Sequence, residues 1–200
     1  MSVTDILIVE DNKIVAQELR EQLDGLGYKV VDVASSGQEA IEKTKTLGPQ
    51  IVLMNIRLRG TIDGLRTASD IRDYYDTPVI YLMDYSSQAT IRRAGATGPF
   101  GYIFRPFDGK QIFATIEVAV IRHQLERQLQ QSRQWLNTTL TSIGDGVIAT
   151  DEQGLVRFIN PMAMEHTGWG HKDAIGKSIA DVFSLIDEHT QEPVDILEPA

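Results

Sequence analysis

The sequence predicts an α/β protein: a five-stranded, doubly wound parallel sheet, then a long linker helix, then a partial α+β domain. Three observations predict it. Short apolar runs alternate with amphipathic helical patterns five times over the first 120 or so residues. Strand–helix alternation of that kind implies parallel strands with helices on both faces. A helical apolar pattern then continues from Val118 to Ile143 without Pro or Gly, and a turn between two short strand patterns follows Gly144.

The elements follow in order. Ile6-Leu7-Ile8-Val9 is a continuous apolar run ending in acids, as expected of a strand covered on both faces. Val15, Leu19, Leu23 and Leu26 recur at three- and four-residue steps and mark one helix face, which Gly25 and Gly27 end. Residues 29–33 read as a second strand. Ser36-Gly37-Gln38-Glu39 matches a capping box, so a helix is predicted from there to Gly48. Ile51-Val52-Leu53-Met54 and Val79-Ile80-Tyr81-Leu82 are the third and fourth strands, with a helix carrying Leu65, Ala68, Ile71 and Tyr75 between them. A weaker helix is predicted from Ser86 to Arg93, and Tyr102-Ile103-Phe104 is a short fifth strand. Asp108 and Gln111 open a helix carrying Ile112, Ile116 and Val120. In open parallel sheets the working cleft lies at the carboxyl ends of the strands. Topology alone therefore selects Glu10, Asp11, Asn55, Met83 and Arg105.

The helical pattern runs on through Ile121, Leu125, Leu129, Leu136, Leu140 and Ile143, and fits a heptad only loosely. Taking Leu129 and Leu136 as a positions puts Ser132 and Thr139 at d. A parallel coiled-coil dimer and a single helix packed on its own domains are both compatible with it; the dimer is the expectation. Residues 146–150 and 155–159 read as paired strands around Asp151-Glu152-Gln153-Gly154, and Asn160-Pro161 starts a short helix. The tail from Asp187 is acidic, contains Pro and has no strong period. The expected boundaries are residues 1–121, a linker helix over 122–142, and 143–200.

Composition narrows the function. The chain has 42% hydrophobic and 24% charged residues, no Cys, and a formal charge of −9. Disulfides, thiolate catalysis and Cys-based zinc sites are excluded. No apolar run approaches the roughly 18 residues that span a bilayer, and no basic segment precedes the first apolar run as in a signal peptide. The cytoplasm is the expected location. The acidic balance argues against direct nucleic-acid binding, which needs a basic face.

Residues 7–12 (Leu-Ile-Val-Glu-Asp-Asn), residues 51–58 (Ile-Val-Leu-Met-Asn-Ile-Arg-Leu) and Arg105-Pro106-Phe107 resemble, in this order and spacing, the three signature segments of response-regulator receiver domains. The resemblance implies a flavodoxin-like fold and assigns roles. Glu10 and Asp11 take the places of the Mg²⁺-binding acids, and Asn55 stands where the family has its phosphate-accepting Asp. Met83 replaces a Ser or Thr, Arg105 replaces a Lys, and Tyr102 is the aromatic switch position. Each change has a chemical meaning. An amide is a poor nucleophile, so Asn55 should not form an acyl phosphate. Met83 has no hydroxyl to offer a phosphoryl oxygen. Arg105 keeps the charge but its planar fork favours carboxylates, so Glu10, Asp11 or Asp84 are its candidate partners. Mg²⁺ is expected to bind weakly, if at all, and no other cofactor is expected. An engineered Asp-to-Asn change at residue 55 of a normal receiver is the alternative, and the joint departure at Met83 and Arg105 argues against it.

Residues 142–151, Phe158-Ile159-Asn160-Pro161 and Thr167-Gly168-Trp169 resemble the opening of a PAS domain, truncated before its later strands. A PAS pocket can hold haem, flavin or a metabolite, but no Cys supports a flavin adduct, and His166 and His171 read as surface or partly buried. The expected function is two-component-type signal transduction by protein–protein interaction rather than catalysis. Dimerisation is expected through the linker helix, or through the face of the fourth helix, fifth strand and fifth helix where Arg92, Arg93, Tyr102 and Phe107 fall. The alternative is a regulatory part of a larger sensor kinase or transcription regulator. A flavodoxin-like enzyme is disfavoured, because Gly95, Gly98 and Gly101 lack a phosphate-loop spacing.

Overall fold

A computed structural model describes residues 3–58, 63–84, 88–142, 144–186, 189 and 193–194. The chain forms two compact units, Met1–Arg127 and Gln128–Ala200. In the first, strands β1 (Asp5–Val9), β2 (Lys29–Ala34), β3 (Ile51–Asn55), β4 (Val79–Met83) and β5 (Gly101–Phe104) form one sheet in the order β2-β1-β3-β4-β5. Every pairing in it is parallel. Helices α1 (Lys13–Gly25), α2 (Gly37–Leu47), α3 (Gly64–Tyr75), α4 (Gln88–Gly95) and α5 (Gly109–Ser142) connect and follow the strands. The predicted fold class is the one observed. The Ser86 start expected for the fourth helix lies outside the described residues.

Successive strand residues point to opposite faces, so each strand feeds two cores. Ile6, Ile8, Leu53, Ile80 and Leu82 pack with Leu19 and Leu23 of α1 and Ile112 and Ile116 of α5. Leu7, Val9, Val52, Met54 and Tyr81 pack with Ala40 of α2, Ala68 and Ile71 of α3 and Ala94 of α4. Two-sided burial is why these strands read as continuous apolar runs rather than alternating ones.

Local chemistry sets the helix ends. Asn12 caps α1, its side chain accepting from the Ile14 N–H at 3.0 Å. Ser36 caps α2, accepting from Glu39 N–H at 3.3 Å. The reciprocal half of the expected box is shifted by one residue: Glu39 accepts from the N–H and hydroxyl of Ser35, at 2.7 and 2.8 Å, rather than from Ser36. Gly64 opens α3 hard against the end of β3, where any Cβ would collide with the backbone carbonyl of Asn55. That close approach is why a glycine follows the cap Asp63. Asp108 accepts from Lys110 and Gln111 N–H, at 2.7 and 3.3 Å, and starts α5 as expected.

The linker helix expected over 122–142 is the distal part of α5, which is one helix of 34 residues, as the uninterrupted helical pattern implies. The boundary between the compact units falls inside it, after Arg127.

The second unit pairs β6 (Ile148–Thr150) with β7 (Val156–Ile159) antiparallel. Asp151 shapes the turn by accepting from Gln153 and Leu155 N–H, at 3.1 and 2.9 Å. Short helices α6 (Pro161–Thr167), α7 (His171–Ala174) and α8 (Ile179–Val182) cover the hairpin. Val156, Ile159, Ala163, Ala174, Ile179 and Val182 form its small core. A further two-residue pair, β8 (Leu185–Ile186) with β9 (Pro193–Val194), lies in the stretch where no strand was expected.

Asn160 organises this unit. It is fully buried, accepts from Val147 and Ala163 N–H at 2.9 and 2.8 Å, and donates to the carbonyls of Leu140 and Asp145 at 3.0 and 2.9 Å. One side chain thus caps α6 and ties the end of α5 to the hairpin. Asn160→Ala would strand four backbone groups, each costing about 1–3 kcal/mol where water cannot reach. With partial rehydration the expected loss is about 3 kcal/mol. Urea unfolding followed by Trp169 fluorescence, in a Trp135→Phe background, measures it. A loss below about 1 kcal/mol would mean that the four bonds are replaceable by water.

Candidate functional site

The strand order reverses direction between β1 and β3, and the crevice at their carboxyl ends is the expected site in such a sheet. Glu10 leaves the end of β1, Asn55 ends β3, Met83 ends β4 and Arg105 follows β5, so the topology gathers all four. Glu10 is only 3% exposed and Asn55 7%.

The Glu10 carboxylate is satisfied from within the fold. One oxygen accepts from the Asn12 backbone N–H at 3.0 Å and from Asn55 Nδ2 at 3.1 Å. The other accepts from Asn55 Nδ2 at 3.0 Å and from an Arg105 terminal nitrogen at 2.5 Å. A carboxylate can only accept, so the amide must turn its NH₂ toward Glu10. Its oxygen then accepts from Arg57 N–H at 3.1 Å. Burial pushes the Glu10 carboxyl above its ordinary 4.5. The Asn12 N–H, the Arg105 charge and the Asn55 amide pull it back, and Asp11 adds to the rise.

Arg105 reaches two of the partners named for it, Glu10 and Asp84. Its other terminal nitrogen lies 3.4 Å from Asp84, and its guanidinium sits 5.5 Å from the Phe107 ring centroid. Met83 is 2% exposed and lines the small space left in the cleft, about 50 Å³, with Asn55, Arg57, Asp84, Thr90 and Arg105. That volume holds a few waters. A larger cavity of about 470 Å³, lined by Lys45, Asp76, His123 and Arg127, lies at the opposite ends of the strands.

A divalent cation does not fit this arrangement. Both Glu10 oxygens already hold donors, and a guanidinium occupies the space in front of one of them. Asn55, standing where the family has an Asp, presents an amide whose oxygen accepts from Arg57 N–H. Among the described residues no group of three His, Asp or Glu side chains is placed to hold a metal.

Tyr102 points inward. Its ring stacks on Tyr81, centroids 6.2 Å apart, and packs on the core beneath α2, α3 and α4. Tyr81 bonds the Thr97 hydroxyl at 2.7 Å, and burial pushes its phenol up to about 12. Arg72 donates to the Thr97 carbonyl, fastening α3 to the loop before β5. The sequence reading missed Arg72, Thr97 and Thr90. Thr90 lines the cleft from α4 rather than from a strand end, and no spacing rule marks it. Arg92 and Arg93 are exposed on α4, whereas Phe107 packs against the core beside α1 and α5. His166 and His171 are both exposed in the second unit.

Comparison with known proteins agrees with the fold of the first unit. The family model for the response regulator receiver domain matches residues 6–117, more than half of the chain. The chain belongs to the response-regulator receiver family. The model for the PAS fold matches residues 135–199, so the receiver is followed by a PAS region whose match begins within α5. The receiver is 32% identical over 117 residues to the transcriptional regulatory protein PdtaR of Mycobacterium tuberculosis, covering 58% of this chain and 57% of that protein. It is 29% identical over 126 residues to the phyllosphere-induced regulator PhyR of Methylorubrum extorquens, covering 62% and 46%. Among solved structures, the signal receiver domain of a modulated diguanylate cyclase from Desulfovibrio desulfuricans G20 superposes with a TM-score of 0.60 at 35% identity, covering 62% of this chain and 99% of that one. The N-terminal domain of a response regulator/sensory box/GGDEF protein from Carboxydothermus hydrogenoformans gives 0.56 at 28%, covering 62% and 98%. The chain therefore spans about half the length of the curated relatives it matches. No described helix is long and apolar enough to cross a membrane.

Proposed function

We propose that this receiver–PAS chain is a cytoplasmic, non-catalytic signalling module that ordinary aspartyl phosphorylation does not switch. It acts by binding other signalling proteins, without direct contact to nucleic acid, and it dimerises. The observation that carries this reading is the closed set of bonds around Glu10. In a phosphorylatable cleft a cation and a phosphoryl group would need these oxygens and this space. Here Asn55 offers no nucleophile, Arg105 supplies the positive charge, and Met83 fills the position of a hydroxyl donor. Tyr102, already turned inward over Tyr81, supports a cleft that rests in one state without a modification to hold it there.

The test is incubation of the chain with acetyl phosphate and Mg²⁺, followed by intact-mass measurement. The expected product is unmodified protein. A stoichiometric phosphoryl adduct overturns the reading, and mapping it to Asp11 or Asp84 would identify a displaced acceptor.

A second reading concerns scale rather than chemistry. PdtaR and PhyR extend well beyond the region matched here, so the chain also suits the regulatory part of a larger sensor kinase or transcription regulator. In that setting the receiver and PAS region would relay to an output domain the same partner-binding signal.

A further inference from the structure

Strand β2 is an edge of the receiver sheet. It pairs with β1 on one side, and among the described residues no strand pairs with the other. Residues 29–34 hold three valines, and their two charges, Lys29 and Asp32, cancel. Such a strand is prone to pairing, because an open edge offers unpaired N–H and C=O groups to any strand that approaches.

The direction of those groups follows from the ladder. The Ala34 carbonyl accepts from Glu10 N–H at 2.9 Å and so faces β1. Peptide groups alternate between the two sides of a strand, so those of Val33 face the open edge. Both are already taken by side chains. Val33 N–H donates to one oxygen of Asp32 at 2.8 Å, and the Val33 carbonyl accepts from Lys43 Nζ at 2.7 Å.

Lys43 reaches across from α2, and its side chain is 23% exposed. Its ammonium also meets the second oxygen of Asp32 at 2.9 Å and Glu39 at 2.7 Å. An ammonium has three N–H donors, and here three acceptors surround it. The Lys43 hydrogen bond, then the Val33 N–H, hold the Asp32 carboxyl below its usual range, and Arg20 adds to the effect. Bonds from Lys43 and Ser35 lower Glu39 in the same way. Burial by itself would lower the Lys43 ammonium, but the bonds to Glu39 and Asp32 raise it. The three groups therefore stay charged together. A lysine that only balanced surface charge would gain little from being held in one place. This one closes the outward carbonyl of an edge strand.

We propose that Asp32 and Lys43 guard the open edge of β2 and keep a second copy from adding its own β2 to the sheet. A second copy is the occupant that the guard excludes, because its β2 presents the same outward groups. About a two-fold axis the two strands run antiparallel, and each Val33 would exchange N–H and C=O bonds with the other. The guard confines assembly to other surfaces, and it acts away from the cleft around Glu10.

The double variant D32A/K43M of the full chain opens both Val33 groups. It loses one Lys and one Asp, so the formal charge stays at −9. The variant E42A/K45M is the charge-neutral control elsewhere on α2. Light scattering follows mass against concentration, hydrogen exchange read by mass spectrometry locates any contact, and circular dichroism checks folding. The unaltered chain and the control are expected to keep one mass at every concentration. D32A/K43M should grow with concentration, while exchange over residues 29–34 slows at least about threefold. A mass as constant as that of the unaltered chain overturns the guard. Growth with slowed exchange in another segment and none over 29–34 overturns it too, since another surface then associates. Should the double variant unfold, K43M alone frees the Val33 carbonyl and is read by the same outcomes.

Discussion

Arg105→Met is expected to lower the stability of the receiver by about 2–4 kcal/mol at pH 7, and by less as the pH falls. Glu10 is almost wholly buried, and Arg105 is the cation in contact with it. Removing one partner of a buried ion pair typically costs 3–5 kcal/mol, because the other charge stays buried and uncompensated. Arg105 keeps about a quarter of its side chain exposed, so the figure is discounted. The sign of the pH dependence follows from Glu10. Burial raises its carboxyl above the ordinary 4.5, so between that value and the raised one the folded chain binds more protons than the unfolded chain. Stability from the protonated form is complete below about 4.5 and is lost as the pH rises through the folded value. Losing Arg105 raises the folded value further and widens that window. Urea titrations of both proteins at pH 7.0 and 5.0 decide the matter. Equal losses at the two values, or a loss below about 1 kcal/mol, would mean that the ion pair is not what holds the buried carboxylate.

Asn55→Asp is the second large effect, and it exchanges a donor for an acceptor. Two bonds from Nδ2 to Glu10, at 3.0 and 3.1 Å, become contacts between carboxylate oxygens. Two such groups cannot both ionise cheaply, and they titrate as a pair that shares a proton. The expected cost without metal is about 3 kcal/mol at pH 7. The variant should then regain stability with millimolar Mg²⁺, up to about 2.7 kcal/mol at a hundredfold excess over Kd. The unaltered chain should respond little, because its Glu10 oxygens are already occupied. Thermal melts with and without Mg²⁺ provide the measurement. Equal stabilisation of both proteins would mean that the cleft accepts a cation despite Arg105. The triple variant N55D/M83T/R105K extends the test: it should gain a phosphoryl adduct from acetyl phosphate that N55D alone acquires poorly.

The sequence by itself determined the architecture of the receiver. Period and punctuation are local properties: Ile6–Val9 and Ile51–Met54 read as buried strands because both faces are covered, and Ser36 and Asp108 mark helix starts through their own side chains. It also pointed to the cleft, since strand–helix alternation sets Glu10, Asn55, Met83 and Arg105 at the carboxyl ends of parallel strands. The PAS opening was legible for the same reason, through Asp151 at the turn and Asn160-Pro161 at the helix start. The strands at 185–186 and 193–194 were not, because two residues carry no period.

Tertiary structure alone decided what those cleft residues do to one another. That Arg105 chooses Glu10 and Asp84, that the Asn55 amide turns its NH₂ to Glu10, and that Tyr102 stacks on Tyr81 are contacts between residues 21 to 95 positions apart. No pattern of spacing encodes such pairings, because they depend on distances that exist only once the sheet has assembled. The same holds for the four bonds of the buried Asn160 side chain, whose partners are backbone groups of Leu140, Asp145, Val147 and Ala163. A residue's type limits what it can bond, but burial and the nearest partner select which bond forms and fix its strength.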